Sequence, residues 1–173
     1  MAKPLVGLVM GSDSDLDVAL ECVRLLKLFG VDFEVEVTSA HRSPEKTYEY
    51  ARTAAKRGLK VIIAAAGGSA HLAGVISAHT TLPVIGIPVP SSELKGIDSL
   101  LSTVQMPPGV AVATMGVGKS GAANSAILAV QILALSNKDF EEKLQDFKTE
   151  LSKRVTEVSD KTKEDLKKLF KKL

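Results

Sequence analysis

The sequence predicts an α/β protein built on a five-stranded parallel sheet with helices on both faces. Three observations carry that prediction. Short runs of Val, Ile, Leu and Ala alternate with longer runs of helical spacing, strand first and helix after. The runs Val61-Ile-Ile-Ala-Ala-Ala66 and Val84-Ile-Gly-Ile-Pro88 show no polar alternation, as expected of strands covered on both faces. Each strand is followed by a crossover, which parallel pairing requires.

Leu5 to Met10 is a short apolar run bounded by turn residues, hence a buried strand. Gly11-Ser-Asp-Ser-Asp15 follows, and Asp13, Asp15 and Asp17 crowd a helix start, where carboxylates suit the dipole. Val18, Ala19, Cys22, Val23, Leu25, Leu26 and Phe29 recur at helical spacing until Gly30 stops the run. Phe33 to Thr38 is the second strand. Ser43-Pro44-Glu45 opens the next helix with an N-cap Ser, Pro at the first helical position and an acid in the first turn. That helix ends at about Arg57, before Gly58. Val61 to Ala66 is the third strand, and a short helix runs to about His79. Val84 to Pro88 is the fourth strand, its Pro placing it near a strand end. The stretch from Pro90 to Gly109 is irregular, with one or two helical turns at 98–101. Val110 to Val117 is the fifth strand. Gly118-Lys-Ser-Gly121 then opens an Ala-rich helix to about Leu135.

From Lys138 onward the composition changes. Phe140, Leu144, Phe147, Leu151, Val155 and Val158 step by three or four on a charged background, which is an amphipathic helix, broken near Ser159-Asp160. Its Lys-rich end, Lys167 to Lys172, suits the dipole. The organisation is therefore an α/β domain over 1–137 and a helical extension over 138–173, not an independent domain.

Composition narrows the function. The 173 residues allow one domain with a sizeable core. A net charge of +2 gives no electrostatic case for nucleic acid or a membrane surface. No apolar run reaches the roughly 18 residues of a membrane span. Met1-Ala-Lys-Pro-Leu5 lacks the shape of a signal peptide. The single cysteine, Cys22, excludes an internal disulfide, suits a reducing cytoplasm, and falls on an apolar helical stripe as a small buried hydrophobe. Three histidines and one cysteine without ligand spacing argue against a metal site.

The chemistry sits in the strand exits, which share one edge of a parallel sheet. They hold Gly11-Ser12-Asp13-Ser14-Asp15, Ser39-Ala40-His41-Arg42, Gly67-Gly68-Ser69-Ala70-His71, Pro88 to Gly96 and Gly116 to Gly121. Glycines allow close backbone approach, and helix starts present unpaired N–H groups to an anion. Ser12 and Ser39 add hydroxyl donors, Arg42 a fork that suits phosphate, and Asp15 an acceptor for ribose hydroxyls. The set points to a sugar-phosphate or nucleotide. Read locally, Ser12 and Asp15 serve equally well as helix caps, and Arg42 as half of a surface ion pair. His41 and His71 are the acid/base candidates, because imidazole both gives and takes a proton near neutrality. Gly116-Val-Gly118-Lys-Ser-Gly121 matches G-x-G-x-x-G but follows the last strand instead of the first, so it reads as a tight turn. Gly118-Lys119-Ser120 echoes a phosphate loop, but Ala113 stands where that loop needs its first glycine.

These stretches, with Leu82-Pro-Val-Ile-Gly-Ile-Pro88, Asp98-Ser-Leu-Leu101, Val104-Gln-Met-Pro107 and Gly121-Ala-Ala-Asn124, stand in an order that resembles one known family. The chain resembles the PurE family, the class I N5-carboxyaminoimidazole ribonucleotide mutases of bacterial purine biosynthesis, over roughly residues 4 to 155. The resemblance implies a flavodoxin-like three-layer αβα sandwich and a homo-octamer with active sites at subunit junctions. It implies transfer of a carboxylate from the exocyclic N5 to ring carbon C4, without ATP, metal or organic cofactor. It puts Ser12, Asp15 and Arg42 on the ribose-phosphate with Ser39 nearby, makes His41 the proton carrier, and sets Gly67, Gly68 and His71 around the carboxylate and imidazole.

Ala65, Ser69, Ala73 and Val75 replace the family's more usual Gly, Ala, Pro and Met in the third exit loop, and Ser69 adds a hydroxyl near the carboxylate. Two other readings stand beside the mutase. One is the related class II carboxylase, which uses free CO2 and typically has a lysine after the histidine, where this chain has Arg42. The other is a non-catalytic nucleotide-binding module on the same fold.

Overall fold

The computed structural model describes residues 3–170. Met1 and Ala2, read above for a targeting signal, and Lys171 and Lys172 of the expected helix end lie outside them. The sheet contains β1 (Val6–Met10), β2 (Phe33–Val37), β3 (Val61–Gly67), β4 (Val84–Val89) and β5 (Ala113–Thr114). The helices are α1 (Leu16–Phe29), α2 (Pro44–Arg57), α3 (Leu72–Ala78), α4 (Ile97–Val104), α5 (Lys119–Ala134) and α6 (Lys138–Phe170). A single 3₁₀ turn, Asp13–Asp15, joins β1 to α1.

All strand pairs are parallel, and the spatial order is β2-β1-β3-β4-β5. The chain moves one way from β1 to β2, then crosses back over β1 to β3 and onward. Right-handed crossovers therefore put α1 on one face and α2, α3 and α4 on the other. The second face is packed by Tyr50, Ala51 and Ala54 of α2 and Leu72, Ala73 and Ile76 of α3 against Val9, Ile62, Ala64 and Ala66. Cys22, Leu26 and Phe29 of α1 are fully or almost fully buried. An ion pair from Lys119 to Asp17 at 2.9 Å ties the first turn of α5 to that of α1. The direction of winding reverses beside β1, and an open α/β sheet leaves a crevice at such a point.

Two expectations change. The fifth strand is much shorter than Val110 to Val117: only Ala113 and Thr114 pair, with Ile85 and Gly86. Apolar composition reports burial, and Val112 does pack against the core, but a ladder needs aligned backbone groups. Beyond Thr114 the Met115 and Gly118 amides still donate to the Gly86 and Pro88 carbonyls of β4 at 2.9 Å, but Gly118 adopts φ +74° and no ladder continues. The tail helix is unbroken through Ser159-Asp160. Neither residue removes an amide or fixes φ, the Thr162 hydroxyl donates to the Val158 carbonyl, and Lys163 pairs with Asp160 at 3.3 Å. The described chain divides into two compact units at Leu133 and Ala134. No helix among the described residues is long and apolar enough to cross a membrane.

Candidate active site

A cleft of about 270 Å³ opens at the carboxyl edge of the sheet. The exits of β1, β2, β3 and β4 line it, so residues distant in sequence meet there.

The β2 exit is fixed from below by hydroxyls. Thr38 and Thr47 are buried, and their Oγ1 atoms lie 2.9 Å apart. Thr38 Oγ1 also contacts Ser43 Oγ at 3.1 Å, and the Thr47 hydroxyl donates to the Ser43 carbonyl at 3.2 Å. Ser43 stands at the N-cap of α2 as expected, but its hydroxyl does not cap the helix. It accepts instead from the Ser39 amide at 2.9 Å, closing the turn on itself. Ser39 Oγ in turn accepts from the amides of His41 (3.4 Å) and Arg42 (3.2 Å). With its lone pairs so engaged, the Ser39 O–H proton remains to be donated into the cleft.

The β1 exit is a capping box. Ser12 Oγ accepts from the Ser14 amide, and Asp15 Oδ2 accepts from the Ser12 amide at 3.1 Å. The cap reading and the binding reading coexist, because both residues also line the cleft. Asp15 is 3% exposed. Burial pushes its carboxyl above the ordinary 3.8, opposed by hydrogen bonds from the Ser12 and Gly11 amides. Arg42 reaches across from the neighbouring exit and donates to the Gly11 carbonyl at 3.2 Å. Its remaining N–H groups are available to an anion. It is not a salt-bridge partner among the described residues.

His41 and His71 meet over the end of β1. Each lies four residues past the end of its strand. His41 Nε2 and His71 Nδ1 are 2.7 Å apart, with the rings edge to face at 82°. An N–H···N bond needs one protonated and one bare nitrogen, so the two rings cannot both aim a proton at each other. The pair shares one proton along that line and sits on the exposed wall of the cleft.

The cleft collects Ser12, Asp15, Ser39, His41, Arg42, Gly67 and His71 of the residues singled out in the sequence. Gly68 and Ser69 do not line it. Gly68 takes the left-handed turn at φ +58°, and Ser69 is exposed beyond it. Ser14 and Ser91 line the cleft without having been singled out. Ser14 lay within the quoted Gly11 to Asp15 run, and Ser91 within the quoted fourth exit, but no pattern distinguished either. Gly67 makes room for Ser91: a Cβ there would collide with the Ser91 side chain and stand 3.2 Å from the Val89 carbonyl. The G-x-G-x-x-G stretch is a packing feature, since a Cβ on Gly121 would collide with the Gly116 carbonyl. Cys22 is buried, and desolvation pushes its thiol up to about 12. No group of three or more His, Cys, Asp or Glu side chains among the described residues is arranged to hold a metal ion.

The model of the family described as AIR carboxylase matches residues 5–154. A Pyrococcus abyssi protein named N5-carboxyaminoimidazole ribonucleotide mutase is 53% identical over 153 residues, 88% of this chain and 87% of that one. A Bacillus subtilis protein of the same name is 51% identical over 158 residues, 91% of this chain and 98% of the relative. A crystal structure of Treponema denticola PurE superposes with a TM-score of 0.83 at 28% identity, covering 91% of this chain and 98% of that one. With that structural likeness, the five-stranded flavodoxin-like architecture expected from the sequence is established, and the chain belongs to the AIR carboxylase family.

Proposed function

We propose that this chain is an N5-carboxyaminoimidazole ribonucleotide mutase of de novo purine biosynthesis, converting N5-CAIR to CAIR. The observation that carries the reading is the imidazole pair at 2.7 Å, set beside an arginine and hydroxyls suited to a ribose-phosphate. The names of relatives about half identical over most of the chain support it.

The reaction needs a proton delivered to N5, so that the N5–carboxyl bond breaks and CO2 leaves. C4 then attacks the CO2 carbon, and loss of the C4 proton restores the aromatic ring. One group serves both steps, because the proton taken from C4 replaces the one given to N5. In this reading His41 is that group. His71, bonded to it, fixes which nitrogen carries the proton and turns the ring toward the substrate. Arg42 and the Ser39 and Ser12 hydroxyls hold the phosphate, and Asp15 accepts from the ribose hydroxyls. Gly67 and Ala70 form the carboxylate side, with Gly68 and Ser69 behind them. Retaining CO2 requires excluding water while C4 attacks. No step calls for a metal or an organic cofactor.

The working assembly in this reading is a homo-octamer in the cytoplasm, with active sites completed at subunit junctions. Exposed apolar side chains on α1 (Leu16, Leu20), β2 (Val35, Val37) and α4 (Ile97, Leu101) support an assembly of that kind. The extension over 138–173 takes no part in the chemistry and is not an independent domain.

A second reading is carboxylation of aminoimidazole ribonucleotide by free CO2. It is favoured by a Candida glabrata relative named phosphoribosylaminoimidazole carboxylase, 51% identical but matched over only 27% of its length. The purified protein is offered N5-CAIR, or aminoimidazole ribonucleotide with bicarbonate, and product absorbance is followed. Turnover of N5-CAIR without added bicarbonate is expected. Fast turnover of the second mixture alone would replace the mutase with the carboxylase, and binding without turnover of either would leave a nucleotide-binding module.

A further inference from the structure

Helix α6 carries an apolar stripe that the cleft does not use. From Leu144 it reads Leu144, Phe147, Leu151, then Val155, Val158, Thr162, then Leu166, Leu169, Leu173, the last known from the sequence alone. The steps are three, four and four, and each triplet is the one before it advanced by eleven residues. An 11-residue period is about 3.67 residues per turn, close to the 3.6 of a straight helix, so the stripe drifts only roughly 20° per repeat. It stays on one face through the whole 33-residue helix, about 50 Å. Leu151 is 45% exposed, Val155 71%, Val158 65%, Leu166 47% and Leu169 55%. From Leu151 to Leu169, about 27 Å of helix, this largely apolar seam faces water and calls for a partner.

The row of charges along one flank identifies that partner. It reads Glu150, Arg154, Glu157, Lys161, Asp165, Lys168, alternating in sign without exception. Turned end for end about Ser159, the row meets its own complement. Glu150 then faces Lys168, Arg154 faces Asp165, and Glu157 faces Lys161. Antiparallel helices bring like flanks together, which is the geometry this match requires. The opposite flank offers Ser152 and Ser159 near the centre, with no like-charge encounter. A partner helix must also carry the 11-residue period to follow the seam, and a second copy of this chain does.

We propose that residues 150–169 of α6 pair antiparallel with the same segment of a second copy of this chain, about a two-fold axis near Ser159. The contact is a straight to slightly right-handed two-helix seam.

The test uses the full chain with single cysteines at Ser159, Ser152 or Lys148, each spin-labelled. Cys22 is buried and does not compete for the label. Pulsed electron resonance should give the shortest distance for Ser159→Cys. Axial separations should grow to about 20 Å at Ser152→Cys and about 33 Å at Lys148→Cys, from 1.5 Å per residue on two opposed helices. Equal short distances at all three positions mean parallel pairing and overturn the proposal. Absence of a short distance at Ser159→Cys overturns it as well, including when the label is shielded by some other surface. In the Ser159→Cys background, Glu157→Lys should abolish the short distance and Glu157→Lys with Lys161→Glu should restore it. Helicity by circular dichroism and turnover of N5-CAIR should stay unchanged throughout. Loss without restoration would overturn the antiparallel register, since the pairing of Glu157 with Lys161 would not hold.

Discussion

Thr47→Val tests whether the buried hydroxyl chain under the β2 exit holds the site in shape. The substitution keeps the side-chain volume and removes one O–H. Two contacts go with it: 2.9 Å to Thr38 Oγ1 and 3.2 Å to the Ser43 carbonyl. Neither partner is orphaned. The Ser43 carbonyl still accepts from the Thr47 amide at 3.1 Å, and Thr38 Oγ1 keeps Ser43 Oγ at 3.1 Å. The loss is therefore that of ordinary satisfied bonds, about 1–2 kcal/mol, without the larger cost of a stranded polar atom. In a chain of this size that lowers Tm by roughly 2–8 °C. Thr38→Val removes the shared partner, so the double variant should fall short of the summed losses by about 0.5–1 kcal/mol. Differential scanning calorimetry of the four proteins measures this cycle. Because His41 and Arg42 ride on the turn, kcat/KM for N5-CAIR should fall at least ~10-fold in Thr47→Val, as small misplacements of reacting groups commonly cause. Additive stabilities with unchanged kcat/KM would show that the hydroxyl chain does not position the turn.

His41→Asn should lower kcat by about 10²–10⁴ while KM changes little, the range for a lost general acid–base; near-normal kcat in steady-state assays would place the proton carrier elsewhere. Gly67→Ala should lower kcat by driving a methyl into Ser91, and Gly67→Ala with Ser91→Gly should recover part of it; recovery tracks relief of that contact and not the loss of a hydroxyl. Asp15→Asn should weaken substrate binding yet raise Tm at pH 7. The folded carboxyl binds its proton more tightly than the unfolded one, so its burial costs nothing below the ordinary 3.8, begins to cost as pH rises past 3.8, and costs in full above the raised folded value. The Tm difference between Asn and Asp should accordingly shrink as pH falls toward 3.8, and a difference independent of pH would show that desolvation of the carboxylate is not the cause.

Much of the site was legible because strand exits converge by topology alone. Once the runs ending at Met10, Val37 and Gly67 are read as parallel neighbours, Ser12, His41 and His71 must come near one another. The bond between the two histidines was not legible, because it depends on β1 lying between β2 and β3, and sequence order does not give spatial order. Ser91 was hidden for a similar reason: it enters the cleft only because Gly67, on another strand, lacks a side chain. The fifth strand misled because the apolar run Val110 to Val117 suggested a full ladder, while none of it is buried and only Ala113 and Thr114 align with β4. The tail break at Ser159-Asp160 misled because Ser and Asp weaken a helix only modestly, and the surrounding turns supply compensating bonds.

The imidazole pair also acts as a gauge of the sheet beneath it. His41 and His71 extend from strands on either side of β1, which stand about 10 Å apart. Their 2.7 Å contact closes only if β2, β1 and β3 are all in their native alignment. A shift of either outer strand by one residue would move its histidine by about 3.3 Å and part the rings. The ring resonances of these two residues would then report, in one spectrum and without substrate, whether β2, β1 and β3 of a given preparation are correctly aligned.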